Sequence, residues 1–188
     1  MKVIEEMMKA NESFCANPPV DYTGEDHHQS KLPKKHLAIV TCMDTRLVDF
    51  MAPALGLKRG DVKVIKTAGN VIVDAFDSTI RSLLVCIYEL GVQEIAIIGH
   101  YECGMAKTTS QSLTKAMIDR GISADAIKMI DKELKEWADG FSKPEENVEK
   151  VVAHIRYNPL IPKDVKVHGL MFHPRSGKLD WIVNGYDD

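Results

Sequence analysis

The chain has 188 residues, of which 45% are hydrophobic and 27% are charged, which suits a folded domain with a sizeable core and excludes a disordered chain. The formal net charge of −3 argues against binding to nucleic acid or an anionic membrane, since both need a basic face. Neither a membrane-spanning apolar run nor the apolar core of a signal peptide is recognisable, so we expect a soluble cytoplasmic protein.

The first 35 residues are predicted to form a helix followed by an irregular arm. A short amphipathic helix over residues 2–15 is indicated by apolar residues at helical spacing, namely Val3, Ile4, Met7 and Met8. Residues 17–35 are rich in proline and polar residues, which is typical of a loop. We expect residues 36–188 to form a single α/β domain.

Three strands are predicted next. The runs "LAIV" (37–40) and "IAII" (95–98) lack polar alternation, as expected for strands covered on both faces of a parallel sheet. Between them, "VKVI" (62–65) predicts a strand nearer the edge of the sheet, because Lys63 interrupts it.

Helices and a final hairpin complete the pattern. One helix is predicted around residues 80–87 and ends at Gly91, and a second begins at the N-cap Ser123. The apolar stripe of the second helix comprises Ile127, Ile130, Leu134 and Trp137. A third helix begins near Pro144, and the tail predicts two strands joined by a turn at residues 174–177. The fold class is therefore an open, mainly parallel, Rossmann-like α/β sheet flanked by helices, with an N-terminal helical arm and a C-terminal β-hairpin.

The four cysteines do not suggest a disulfide framework in a chain of this size without a secretion signal. We expect Cys15 and Cys86, which lie among helical apolar residues, to be small buried apolar side chains. Cys42 and Cys103 differ, because both follow strand-like runs and have polar or charged neighbours.

A metal site is predicted where two of the strands end. In open parallel sheets, ligands bind beyond the carboxyl ends of the strands, at a switch in strand order. Cys42 and His100 each lie two residues past an apolar run, so they converge with Cys103 if those strands are neighbours. Two thiolates and one imidazole suit one zinc ion.

The fourth coordination position has two candidate occupants. A catalytic zinc keeps this position for water or substrate, and the nearest protein group in sequence is the carboxylate of Asp44. Arg46 could clamp that carboxylate in a bidentate pair and hold it off the metal. Asp44 is therefore predicted to be a conditional fourth ligand, with Arg46 as the group that controls it.

These motifs resemble those of the β-class carbonic anhydrases. The resemblance rests on "CMDTR" (42–46), "AGN" (68–70) and "HYEC" (100–103), and extends over roughly residues 36–183. It implies zinc ligands at Cys42, His100 and Cys103, a catalytic dyad of Asp44 and Arg46, and hydration of carbon dioxide to bicarbonate. It also implies a homodimer or a tetramer of dimers, in which the neighbouring subunit walls part of each cleft.

One residue of the family pattern has only a candidate counterpart in this chain, and one position departs from the pattern. Larger members of the family hold bicarbonate with an N-terminal glutamine, for which Gln29 is the candidate here. Thr45 stands where serine or alanine is commoner.

Other interpretations of the same residues remain open. The three ligand candidates could be unrelated core residues, the zinc could be structural and closed by Asp44, and Asp44 with Arg46 could be an ordinary surface ion pair. The same site could instead hydrolyse carbonyl sulfide or carbon disulfide, or serve as a non-catalytic zinc-binding module. His27 and His28 could either be solvated or carry protons between the site and the buffer. Three other histidines are expected to be structural, namely His154, His168 and His173.

Overall fold

The computed structural model describes residues 2–19 and 30–187, and the chain divides into two compact units between Lys31 and Leu32. In the first unit, helix α1 (Val3–Ala16) confirms the predicted amphipathic helix. Every described residue of α1 is exposed, so the prediction that Cys15 is buried is wrong. A single short helix cannot bury its own apolar face. His27, His28 and Gln29 lie outside the described residues.

The second unit contains a five-stranded sheet. Its strands are β1 (Leu37–Cys42), β2 (Val62–Thr67), β3 (Glu94–His100), β4 (Lys166–Phe172) and β5 (Leu179–Val183). The order across the sheet is β2-β1-β3-β4-β5; the first four strands are parallel and β5 pairs antiparallel with β4. The mainly parallel sheet, the terminal hairpin and the edge position of the 62–65 segment are all confirmed.

The order of the strands switches at β1, because β2 and β3 lie on opposite sides of it. The chain passes from β1 to β2 on one side and then crosses to β3 on the other. Thr41 is in register with Ile98, so the carboxyl ends of β1 and β3 lie side by side. A crevice at such a switch point is where open parallel sheets bind their ligands.

Within residues 32–187, six α-helices flank the sheet. Their bounds are α2 (Met51–Ala54), α3 (Ser78–Tyr88), α4 (Ser110–Asp119), α5 (Ala124–Lys128), α6 (Asp131–Ala138) and α7 (Pro144–Arg156). Apolar residues of α3 and α7 form one core with one face of the sheet. Residues of α2 and α6 form a second core with the opposite face, which includes the side chains of Cys42 and Cys103. The sheet is therefore covered on both sides, as its unbroken apolar strands require.

Two glycines allow α7 to lie close against the sheet. A Cβ atom on Gly99 of β3 would lie 2.6 Å from Val148 Cγ2, and one on Gly169 of β4 would lie 2.8 Å from Val148 Cγ1. Real Cβ atoms essentially never come this close. The small residues are therefore needed where this helix crosses β3 and β4.

The helix predicted from Ser123 is two helices. Ser123 does cap α5, since its side chain accepts a hydrogen bond from the N–H of Ala126. Ile130 leaves the helical conformation (φ −120°, ψ 9°) and separates α5 from α6. Ile130 is 44% exposed, whereas Ile127 and Leu134 are buried, so the predicted stripe is broken at its second member.

The structure also contains helices that the apolar spacing did not predict. Helix α4 has no buried residue and helix α2 has four residues, so neither carries a strong apolar period. No helix within residues 2–19 or 30–187 is long and apolar enough to cross a membrane.

Candidate metal centre

Three buried side chains with metal-binding atoms meet at the switch point of the sheet. Cys42 is the last residue of β1, His100 is the last residue of β3, and Cys103 lies in the turn that follows β3. One potential ligand atom from each lies within 4.8 Å of the others. The sequence prediction that these residues converge is confirmed, and the interpretation as unrelated core residues is wrong.

The spacing of the donor atoms fits a zinc ion. The two sulfur atoms of Cys42 and Cys103 are 3.9 Å apart, and tetrahedral bonds of about 2.3 Å from zinc would separate them by about 3.8 Å. His100 is 1% exposed, and its Nε2 has no hydrogen-bond partner among the described residues. Burying a polar nitrogen without a partner costs folding free energy, unless a metal ion or another group binds it.

The other nitrogen of His100 is already engaged. Nδ1 lies 2.9 Å from the carbonyl oxygen of Tyr101, to which it can donate a hydrogen bond. This contact fixes the ring and leaves the Nε2 lone pair free, which is the usual arrangement of a metal-binding histidine. The surroundings of His100 therefore match the predicted ligand role.

The two thiols have opposite tendencies to ionise. The hydrogen bond from Cys103 is the main cause that lowers the pKa of Cys42 to about 4, and the same contact with Cys42 raises the pKa of Cys103. Burial lowers the pKa of His100, but interaction with the Cys42 sulfur outweighs it and the net pKa is raised. The site therefore stabilises negative charge on sulfur, and a divalent cation would satisfy that charge.

The turn after β2 donates a hydrogen bond to the Cys42 sulfur. The N–H of Gly69 lies 3.4 Å from Cys42 Sγ and donates to it, and Gly69 has φ +68°. Asn70 is 2% exposed with φ +51°, and the amide of Asn147 donates to the Gly69 carbonyl at 3.0 Å. The "AGN" motif thus forms a turn that approaches the sulfur with its backbone.

Asp44 is held by Arg46 in a bidentate pair. Arg46 Nε donates to Oδ1 at 3.0 Å and Nη2 donates to Oδ2 at 2.8 Å, while the main-chain N–H of Arg46 also donates to Oδ1. The hydrogen bonds from Arg46 are the main cause that lowers the pKa of Asp44 to about 2. Asp44 Oδ2 also lies 3.8 Å from His100 Nε2, so the carboxylate is clamped at the edge of the metal-binding cluster.

Two further charged residues, neither of which was predicted from the sequence, join this pair. Glu102 accepts from Arg46 Nη1 at 3.3 Å and from Arg175 Nη2 at 3.1 Å through the same oxygen, Oε2. The hydrogen bond from Arg175 is the main cause that lowers the pKa of Glu102. Glu102 could have been suspected from its place between His100 and Cys103, but nothing in the sequence points to Arg175.

An open pocket leads to the candidate ligands. It has a volume of about 520 Å³ and is lined by both cysteines and the Asp44–Arg46 pair, together with Met43, Thr45, Ala68, Gly69, Gly104, Met105 and Thr108. Its wall therefore combines an apolar surface with one clamped carboxylate. Such a pocket can admit a small neutral molecule to the point where the metal would lie.

The three remaining histidines named from the sequence contact other protein groups. His154 Nε2 lies 3.1 Å from the carbonyl oxygen of Asp74, and His168 Nδ1 accepts from the N–H of Gly185 at 3.0 Å. His173 packs against the ring of Tyr101. Trp137, from the predicted apolar stripe, is partly buried in the second core.

The sequence matches the profile of a family described as "Carbonic anhydrase" over residues 37–179. The crystal structure of β-carbonic anhydrase isoform I from the protozoan Trichomonas vaginalis is 45% identical, with a TM-score of 0.92, and the match covers 99% of this chain and 100% of that one. β-Carbonic anhydrase 1 of Mycobacterium tuberculosis is 32% identical over 94% of this chain and 99% of its own length. Carbon disulfide hydrolase of Acidithiobacillus thiooxidans is 34% identical over 77% of this chain and 76% of its own.

Proposed function

This chain belongs to the β-class carbonic anhydrase family, and we propose that it catalyses the reversible hydration of carbon dioxide to bicarbonate and a proton. β-Carbonic anhydrases bind zinc, and the chain brings Cys42, His100 and Cys103 together as a site for it. The observation that carries the proposal is the clamped carboxylate of Asp44, which lies 3.8 Å from His100 Nε2 beside that site.

In this proposal, Cys42, His100 and Cys103 are the three protein ligands of one zinc ion per chain. A bound zinc would supply a Lewis acid that makes water a nucleophile near neutral pH. Cys42 and His100 lie at the ends of two neighbouring strands, and the hydrogen bond between His100 Nδ1 and the Tyr101 carbonyl holds the imidazole ring. Such a contact fixes the orientation of a histidine that would bind a metal.

Asp44 and Arg46 are proposed to act as a pair. With Asp44 held by Arg46, its Oδ2 can accept a hydrogen bond from the attacking water and orient the water's lone pair toward carbon dioxide. If Arg46 released it, Asp44 could instead turn onto the metal and take the fourth position. Asp44 Oδ2 lies outside the group of donor atoms within 4.8 Å of one another, which supports the held-off position.

The pocket supports a small uncharged substrate. Met43, Ala68 and Met105 contribute apolar surface, so carbon dioxide can enter without losing hydrogen bonds to water. Arg46 offers a positive charge at the same place, although its hydrogen bonds to Asp44 and Glu102 already use four of its five N–H groups. We therefore assign Arg46 to control of Asp44 and not to direct binding of bicarbonate.

The decisive experiment is a stopped-flow assay of carbon dioxide hydration, with zinc measured on the same sample. We expect turnover in protein that holds about one zinc per chain, loss of turnover on chelation and recovery on adding zinc. Zinc-loaded protein without turnover at alkaline pH would reject the proposed activity and favour a non-catalytic zinc-binding module.

A second candidate activity is hydrolysis of carbon disulfide or carbonyl sulfide. The similarity to carbon disulfide hydrolase of Acidithiobacillus thiooxidans favours it, since the same site could attack any small linear molecule of this type. Assays of the three substrates on one preparation, compared by kcat/KM, separate the two activities. A higher kcat/KM for a sulfur-containing substrate would replace our first assignment.

We further propose that residues 36–188 form the catalytic domain and that the protein is a cytoplasmic homodimer or a tetramer of dimers. Strand β2 is at the edge of the described sheet, and its Val64 is 46% exposed. Exposed edge strands of this kind are suited to association with another chain. Light scattering on purified protein tests the assembly, and a monomer at micromolar concentration would reject it.

A further inference from the structure

Four charged side chains of alternating sign form a line that leads away from the metal centre. In order they are Asp44, Arg46, Glu102 and Arg175, and each contacts the next. Asp44 is 17% exposed at the inner end and Arg175 is 74% exposed at the outer end. The line therefore connects the proposed site to the turn between β4 and β5.

Arg46 divides its hydrogen bonds unequally between the two carboxylates. Nε and Nη2 make a two-pronged contact with Asp44 at 3.0 and 2.8 Å. Only Nη1 reaches the Glu102 carboxylate, at 3.3 Å, while Nη2 also donates to the main-chain carbonyl of Glu102 at 2.9 Å. Asp44 thus receives the bidentate face of the guanidinium, which is the stronger geometry.

Arg175 occupies the Glu102 oxygen that Arg46 also contacts. Oε2 of Glu102 is 3.1 Å from Arg175 Nη2 and 3.3 Å from Arg46 Nη1. A carboxylate with no other cationic partner attracts the nearest guanidinium more strongly. Without Arg175, the full charge of Glu102 would compete with Asp44 for Arg46.

We propose that Arg175 is a positioning residue that, by holding Glu102, leaves Arg46 to Asp44 and so keeps Asp44 away from the metal. The inference rests on the roles that the proposed function gives to Asp44 and Arg46. Arg175 and Glu102, which contact each other, then have opposite effects. Arg175 favours an open fourth position at the metal, whereas the charge of Glu102 favours its occupation by Asp44.

The size of the effect follows from the exposure of the outer pair. Glu102 and Arg175 side chains are 50% and 74% exposed, and exposed ion pairs change an equilibrium by about two- to five-fold. Such a pair contributes little to folding, so variants at these positions keep the fold. The position of Asp44 is what changes.

The test measures azide binding to the cobalt(II)-substituted protein by visible absorption, because azide competes with Asp44 for the open position. Arg175→Gln is expected to raise the azide Kd by about two- to five-fold, and Arg175→Lys to keep it near the wild-type value. Glu102→Gln should leave the Kd unchanged or lower it. In the double variant, Arg175→Gln should have no further effect, since Arg175 acts only through Glu102.

Lys178→Gln is the matched control. Lys178 lies in the same hairpin and is 69% exposed, but its partner is Asp180 at 2.6 Å, so its removal should leave the azide Kd unchanged. A wild-type Kd in Arg175→Gln, or an undiminished effect of Arg175→Gln in the Glu102→Gln background, would overturn the inference. Azide binding needs no turnover, so absence of carbon dioxide hydration in the wild type would reject the proposed function without deciding this test.

Discussion

The guanidinium of Arg46 holds both carboxylate oxygens of Asp44, with Nε 3.0 Å from Oδ1 and Nη2 2.8 Å from Oδ2. The contact lies two residues from Cys42 along the chain and 3.8 Å from His100 Nε2 in space. In the proposed mechanism, this contact decides whether the fourth position at the metal is open.

Replacement of Arg46 tests the pair directly. We expect Arg46→Ala to lower kcat for carbon dioxide hydration by about 10²-fold, because Asp44 would lose its partner and could turn onto the metal. Zinc content should stay the same, since Arg46 is not a proposed ligand. The measurement is stopped-flow kinetics with metal analysis, and Lys178→Ala is the control for loss of an exposed cation. Wild-type turnover in Arg46→Ala would show that the pair is a surface ion pair only.

Replacement of one ligand candidate should remove the metal. We expect Cys103→Ser to lose most of its zinc after dialysis and to lose turnover, because the hydroxyl of serine is a poor ligand for zinc. Cys86→Ala is the matched control: Cys86 is also buried, but it packs in the core on the other face of the sheet. Equal zinc content in the two variants, determined by elemental analysis, would contradict the assigned ligand set.

The rate of hydration should rise with pH. Hydrogen bonds from Arg46 hold the pKa of Asp44 at about 2, well below its ordinary value, so the carboxylate stays ionised throughout the assay. Because the folded-state pKa is lowered, the stabilisation from this pair is complete at neutral pH and is lost only as the pH falls toward about 2. We therefore expect the rate to rise because water is activated more fully as the pH increases, and not because Asp44 titrates. A rate independent of pH between about 6 and 9 would argue against this origin.

The turn at Gly69 should not tolerate a side chain. In Gly69→Ala the new Cβ would lie 2.8 Å from Met105 Cγ and 3.0 Å from Phe141 Cε2, at φ +68°. We expect the free energy of unfolding to fall by about 2–4 kcal/mol, from backbone strain and overpacking together.

Gly121→Ala separates these two costs. Gly121 has φ +87°, but a Cβ there would have no atom of a described residue within 4 Å, so only the backbone strain of about 1–2 kcal/mol applies. Urea unfolding of both variants provides the comparison. Equal losses would mean that Met105 and Phe141 move aside without cost.

Much of the fold could be predicted because its signals are local. The unbroken apolar runs at 37–40 and 95–98 became β1 and β3, and Ser123 capped a helix as expected. Where the local signal was weak, the prediction failed. Helix α4 buries nothing, Ile130 breaks a helix despite its apolar spacing, and Cys15 is exposed.

The sequence by itself determined the chemistry that this protein can offer: two thiols, an imidazole, a carboxylate and a guanidinium, each at the end of a strand or directly after one. It could do so because residue type and apolar period are properties of short segments. Only the tertiary structure decided that the two sulfurs lie 3.9 Å apart and that Arg46 pairs with Asp44. It also decided that Arg46 contacts Glu102, which is 56 residues away, and that Arg175, a further 73 residues along the chain, holds Glu102. Contacts over such separations depend on strand order and on the packing of the turns, which no short segment contains.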